Sequence, residues 1–191
     1  MSIFRKKNIV AYSDEQLIKE IECANEAAFN LLYERYSTKL FRYFFRLLGN
    51  DRSKAEDFLQ ELFIKVLNNA HAFSAAQKAS TWLYTIATNM CKNEWRNTEN
   101  RQRLMRQFEA WEHQSKSVLD KLESNNLTQI LDKLMSQLEE EEHLVLQLRF
   151  QQELSIKEIA AIMNIPEGTV KSKLFYLLKR IAKQLKKNPM L

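Results

Sequence analysis

Glycine and proline are almost missing from this sequence, with two of each in 191 residues. Strands need turn residues between them, so a chain with so few is left with helices and short connections. Cysteine is as scarce: Cys23 and Cys91 lie far apart, form no paired framework, and read as small buried apolar residues in a reducing compartment. The three histidines, His71, His113 and His143, are scattered, with no acidic or cysteine partner at metal-ligand spacing. No nucleophile elbow, glycine-rich phosphate loop or HExxH run occurs, and the carboxylates sit on solvated helix faces. An enzyme is therefore not expected, and neither is a cofactor or a metal. Apolar runs are short, none reaching the roughly 18 residues of a membrane span. The basic residues between Ser2 and Tyr12 are not followed by the apolar core of a signal peptide.

What the chain does have is basic charge and helical period. The net charge is +5 and the isoelectric point about 9.1, which suits a polyanionic partner without proving one. The charge is most one-sided between Ser155 and Lys187. Ser155, Ile156, Lys157 and Glu158 form a capping box that opens a short helix, with Ile159, Ala160 and Met163 on its apolar side. Pro166 stops that helix, because it lacks a donor and pushes Ile165 out of the helical region. A second helix begins near Glu167. Its buried stripe is Val170, Leu174, Leu177, Leu178, Ile181 and Leu185. Its other side carries Lys171, Lys173, Lys179, Arg180, Lys183, Lys186 and Lys187, with no acid from Lys171 to Lys187. A short helix, a tight turn and a longer basic helix are the parts of a helix-turn-helix that reads the major groove. An amphipathic helix with a solvated basic face is the plainer alternative.

Earlier in the chain, Ser13 to Gln16 is a capping box that opens a helix ending near Cys23 and Ala24. The next helix starts at Asn25 or Glu26 and runs to about Leu48, with Phe29, Leu32, Tyr33, Tyr36, Leu40, Phe44 and Leu47 facing inward. Gly49 supplies a left-handed residue to end it. Ser53 to Glu56 reads as a third capping box. The helix after it buries Ala55, Phe58, Leu59, Leu62 and Val66. Its second face, Asp57, Gln60, Glu61, Ile64 and Asn68, is either a solvated surface or a docking site, and helical spacing alone favours the former. After a polar loop from His71 to Ala79 holding Phe73, a helix runs from Ser80 to about Asn97. Trp82, Thr85, Asn89, Lys92, Asn93 and Arg96 share its face opposite Leu83, Ile86, Ala87 and Met90. An aromatic, amides and cations together are the set used to stack on bases and read their edges. Trp82 on a helix is more often core than platform; Asn89 and Asn93 are poor helix formers with no capping role at mid-helix.

Residues 98–126 are polar, with apolar residues too widely spaced for a stripe, and read as a linker. The period returns at Leu127, Ile130, Leu131, Leu134 and Leu138. The run Glu139 to Glu142 then opens a helix ending near Gln152, where the macrodipole accounts for its charge. The expected fold is all-α, with two small helical lobes, 10–97 and 127–187, on a flexible linker, 98–126.

Three strings in the first lobe resemble the first conserved domain of bacterial RNA polymerase sigma factors of the extracytoplasmic-function group. They are Asn25 to Phe29, Ala55 to Phe63 and Thr81 to Asn89. Leu154 to Ala160 and Glu167 to Leu174 resemble the group's promoter-reading helix-turn-helix, so the likeness covers nearly all of the chain but the linker. The resemblance implies an all-α fold of sigma regions 2 and 4. It implies a non-enzymatic initiation subunit that recognises the minus-ten and minus-thirty-five elements and helps melt the duplex, rather than a free-standing helix-turn-helix regulator. Asp57, Gln60, Glu61 and Ile64 would dock on the clamp helices of the largest subunit of polymerase core, reversing the solvated reading of that face. The flap of the second-largest subunit is a further expected contact. Phe73, Trp82, Asn89, Lys92, Asn93 and Arg96 would bind the minus-ten element, with one non-template base drawn from the stack into a pocket walled by Asn89 and Phe73. Thr169, Lys171, Ser172, Lys173, Phe175, Tyr176 and Lys179 would bind the minus-thirty-five element. The family often carries Arg where this chain has Lys173 and Tyr176, so readout here would lean more on phosphates and groove shape. Promoter DNA, polymerase core and an anti-sigma protein are the implied partners. The implied location is the bacterial cytoplasm, with an anti-sigma partner able to hold the chain at a membrane.

Overall fold

The computed structural model describes residues 9–109 and 138–186, and among these there are helices and no strands. The helices are α1 (Asp14–Glu22), α2 (Glu26–Leu47), α3 (Arg52–Asn69), α4 (Ala79–Glu109), α5 (Glu140–Leu146), α6 (Ile156–Met163) and α7 (Glu167–Lys186). Single 3-10 turns at Ile9–Ala11 and Ala70–Ala72 precede α1 and follow α3. A π-helical segment, Gln147–Gln151, extends α5.

The ends of these helices follow from side chains that satisfy orphan backbone groups. Ser13 and Ser155 each close a capping box, with Gln16 and Glu158. Asn25 caps α2 by accepting from the Ala28 amide. Beyond α2, Gly49 takes φ +75°, as a left-handed terminator should. The expected box at Ser53 does not form. Asp51 is the N-cap of α3 and accepts from the Lys54 amide at 3.0 Å, two residues earlier than the sequence reading placed the start. Helix α6 ends on Asn164 in the left-handed conformation, so Pro166 starts α7 but does not by itself stop α6. The start of α4 is capped from a distance: the Glu15 carboxylate of α1 accepts from the Ala79 amide at 3.0 Å. That bond is the main reason the Glu15 carboxyl titrates below its ordinary range.

Helices α1 to α4 form the first lobe, around fully buried Leu17, Ile18, Leu32, Leu40, Tyr43, Phe44, Leu62 and Leu83. Aromatic edges meet faces inside it, with Tyr43 and Tyr84 centroids 5.3 Å apart and Phe44 and Phe58 5.5 Å apart. The second lobe packs α5, α6 and α7 around Leu144, Val145, Leu148, Ile159, Val170 and Leu177. Four sequence expectations change. Tyr33 and Leu178, at the edges of their stripes, are 41% and 44% exposed; Cys23 is exposed; and Tyr43, outside the expected stripe, is fully buried. Cys91 is buried as expected, and burial pushes its thiol up to about 12.

Helix α4 continues past Asn97 to Glu109, so the first part of the expected linker is helical. Glu, Gln, Arg, Leu and Met, all good helix formers, make up most of that stretch, and no Gly or Pro breaks it. The expected stripe from Leu127 to Leu134 lies outside the described residues. The two lobes pack against each other, α4 against α6, and their buried side chains form one continuous cluster. The buried Tyr84 hydroxyl donates to Gln152 Oε1 across this junction, and Lys78 Nζ lies 2.8 Å from Glu158. The two lobes of the expected all-α fold are thus in contact in the described residues, while residues 110–126 of the expected linker lie outside them.

Candidate polymerase and nucleic-acid interfaces

The α3 face is open. Asp57, Gln60, Glu61, Ile64 and Asn68 are all exposed, as helical spacing requires of residues opposite Leu59, Leu62 and Val66. Ile64 is 57% exposed and the neighbouring Leu67 48%. Glu61 pairs with Lys65 one turn on, at 3.1 Å. The result is a stripe with apolar centres and acidic, amide-bearing edges.

On α4 the expected group divides. Phe73 and Trp82 are half-buried against the core and against each other, with centroids 5.3 Å apart. The ring of Phe73 is thereby anchored at the mouth of the loop before α4. Asn89 is exposed and makes no hydrogen bond with the described residues, so its amide is available to a partner. Asn93 is also exposed, but its Oδ1 accepts from Arg96. Lys92 is half-buried and turns, with Arg96 and Trp95, toward the start of α5. Trp95, which spacing did not single out, donates from its indole N–H to the Leu47 carbonyl at 3.3 Å and so caps the end of α2.

On α7, Thr169, Lys171, Ser172, Phe175, Tyr176 and Lys179 are exposed. Phe175 and Tyr176 are 61% and 68% exposed. They stand edge to face, and the Lys179 ammonium lies 5.9 Å from the Phe175 centroid. Ser172 donates to the Gly168 carbonyl at 3.0 Å. Lys173 differs: it is half-buried and bound to Glu141 of α5 at 2.7 Å. Arg180 pairs with Glu142. The acid-free run on α7 therefore meets its counter-charges on a different helix. Lys171, Lys179 and Lys183 have no acidic partner among the described residues. The side chain of Lys186 and all of Lys187 lie outside them.

Among the described residues no group of three or more His, Cys, Asp or Glu is placed to hold a metal ion. No helix there is long and apolar enough to cross a membrane.

The family described as Sigma-70 region 2 matches residues 32–101, and Sigma-70 region 4 matches residues 134–183. The chain is 32% identical over 178 residues to the ECF RNA polymerase sigma factor SigW of Bacillus subtilis, covering 88% of this chain and 95% of that protein. It is 31% identical over 174 residues to the ECF RNA polymerase sigma-E factor of Escherichia coli, covering 85% and 89%. Its fold resembles that of CnrH, solved in complex with the cytosolic domain of CnrY, with a TM-score of 0.67, 18% identity and coverage of 92% and 98%. It also resembles the sigma factor RpoE of Bartonella quintana, solved with the anti-sigma factor NepR, with a TM-score of 0.58, 22% identity and coverage of 80% and 95%. Both sigma-70 regions match in order on the two helical lobes, and the chain belongs to the extracytoplasmic-function sigma factors of RNA polymerase, which direct promoter-specific transcription.

Proposed function

We propose that this chain binds polymerase core through α3, holds the minus-ten element on the loop before α4 and on the exposed face of α4, and reads the minus-thirty-five element with α7. The observation that carries the reading is the α3 stripe, where Ile64 and Leu67 stand exposed beside Gln60, Glu61 and Asp57. Apolar side chains gathered in an exposed patch mark a surface that a partner covers. The exposed Asn89 amide and the anchored Phe73 and Trp82 support the minus-ten role; the unpaired Lys171 and Lys179 support phosphate contacts on α7. A free-standing regulator would need only the helix-turn-helix and leaves the α3 stripe without use. The flap of the second-largest subunit is a further core contact, and an anti-sigma protein covering both lobes is a further partner, in keeping with the complexes in which similar folds were solved. The chain acts in the cytoplasm, as a binding subunit and not an enzyme.

Pull-down of purified core in the absence of DNA tests this. Gln60→Ala combined with Glu61→Ala is expected to weaken core binding at least several-fold while leaving helical content unchanged, since both side chains are exposed. Core binding equal to that of the wild type would remove α3 as the docking face.

A further inference from the structure

The loop assigned above to the minus-ten element runs from Phe73 to Lys78, between the 3-10 turn Ala70–Ala72 and the start of α4. From Ser74 to Lys78 every residue is exposed. A loop that receives a base has to present one shape, and few bonds of its own fix this one. At its upstream end the Phe73 amide donates to the Ala70 carbonyl at 3.1 Å, and the Phe73 ring leans on Trp82. Ser74 accepts twice, with its carbonyl from the Gln77 amide at 3.1 Å and with its hydroxyl from the Ala76 amide at 3.4 Å. The downstream end has no local cap. The residue before Ala79 is Lys78, whose ammonium donates and cannot accept. Ala79 is fully buried, so its amide would otherwise be orphaned away from water.

The acceptor comes from another helix. Glu15 Oε1 lies 3.0 Å from the Ala79 amide, from a position 64 residues away in the chain. The carboxylate beside it is tied elsewhere: Asp14 accepts from Arg35 at 2.6 Å and from the Tyr36 hydroxyl at 2.5 Å, both on α2. Arg35 donates as well to the Tyr12 and Val10 carbonyls ahead of α1. Two adjacent carboxylates in the first turn of α1 therefore face two ways, one to α2 and the other to the end of the loop. The macrodipole of α1 favours acids in that turn, but it does not account for the reach of Glu15 to a foreign amide. Helix α1 also packs against both ends of the loop, on the 3-10 turn before it and on α4 after it.

We propose that Glu15 is a positioning residue for minus-ten recognition, which by capping α4 from α1 fixes the downstream end of the Phe73–Lys78 loop in the shape that receives the unstacked base. The inference rests on the minus-ten role given above to that loop. Glu15 acts through the Ala79 amide and not by touching DNA. What it supplies is an acceptor oxygen, so its charge is dispensable.

The test uses the full chain assembled with purified core. Glu15→Ala removes the acceptor, and Glu15→Gln keeps an amide oxygen that can still accept. Asn25→Ala strips the cap from α2 in the same lobe and serves as the control for a general loss of stability. Phe73→Ala alters the loop itself. The probe is a fluorescent single strand copied from the non-template minus-ten region of a promoter that this chain activates in run-off synthesis. Glu15→Ala is expected to weaken strand binding several-fold while pull-down of core stays at the wild-type level. Glu15→Gln is expected to restore most of the affinity, and Asn25→Ala to leave it close to wild type. Hydrogen exchange is expected to rise in Glu15→Ala over residues 73–82 and not over α2 or α3, because the lost cap frees one helix end alone. Strand affinity equal to wild type in Glu15→Ala overturns the inference. So does a loss in Glu15→Gln or in Asn25→Ala as large as that in Glu15→Ala. Should Glu15→Ala fail to bind core, Glu15→Asp, one methylene shorter and so withdrawn from Ala79, takes its place under the same expectations. If Phe73→Ala binds the strand as tightly as wild type, the minus-ten role of the loop fails and the Glu15 role fails with it. If Phe73→Ala weakens binding and Glu15→Ala does not, the Glu15 role alone has failed.

Discussion

At the scale of single residues, helical period sorted most side chains correctly and failed at the margins of stripes. Successive residues step about 100° around a helix, so a residue at the edge of an apolar face is decided by what packs next to it. Leu178 and Tyr33 sit at such edges and stay exposed, whereas Tyr43 is buried because its hydroxyl finds Thr88 Oγ1 at 2.8 Å inside the core. Neither outcome is visible without the neighbouring helix. Asn89 stands out for another reason: it sits in mid-helix, where Asn is disfavoured, and its side chain has no hydrogen-bond partner among the described residues. Asn89→Ala should therefore raise the stability of the free protein by about 0.5 kcal/mol, the difference in helix propensity, measured by chemical denaturation. The same change should reduce transcription from a closed duplex more than from a promoter with a premade bubble, because drawing out a base costs a few kcal/mol that the amide helps to offset. Equal losses on the two templates would exclude Asn89 from the base pocket.

At the scale of elements, ends were read best where one local motif accounts for them. The boxes at Ser13 and Ser155 are short-range patterns, complete within four residues, and both form. Ser53 and Glu56 carry the same pattern, yet the preceding Asp51 is as good a cap and takes the position, while Glu56 pairs with Arg52 at 2.9 Å. Asp51→Ala is expected to cost about 1 kcal/mol and Ser53→Ala close to nothing. Urea melts of the two variants check this, and equal losses would restore the Ser53 box. The caps that sequence could not disclose are those supplied from afar. Glu15 satisfies the start of α4 from α1, and Trp95 satisfies the end of α2 from α4. Helix α4 outruns its expected end because apolar spacing, not backbone preference, marked the boundary at Asn97. A helix whose exposed turns are built from good formers needs no stripe to persist.

At the scale of the whole molecule, the ion pair Lys78–Glu158 joins the two lobes beside their apolar packing. Burial raises the Glu158 carboxyl, but hydrogen bonds from Lys78 and Ser155 outweigh it and hold it at about 2. A carboxyl lowered in the folded state contributes stability above its unfolded value and loses it as pH falls through the folded one. The Glu158 contribution is therefore complete above about pH 4.5 and is lost between there and about pH 2. Glu15, Glu94, Glu141 and Glu142 are also held below their ordinary range and add in the same direction. Denaturant midpoints should fall progressively across this window. Lys78→Met keeps the Ser155 box but removes the contact between lobes, so its Glu158 should titrate nearer the ordinary value and the fall attributable to that group should narrow from the acid side. A pH profile identical to wild type would mean that Lys78 does not hold the lobes together in solution.

By itself the sequence determined the helices, the apolar faces of each lobe, the helix-turn-helix and the family. These rest on periodicity, caps and strings of residues that act over one or two turns, and such signals are complete within a short stretch of chain. Only the tertiary structure decided that the lobes close on each other, that the acids of α5 answer the lysine and arginine of α7, and that Glu158 reaches Lys78. Those pairings join positions 32 to 80 residues apart, as between Glu141 and Lys173 or Lys78 and Glu158. A charge that far along the chain carries no mark of its partner until packing brings the two within a few ångströms.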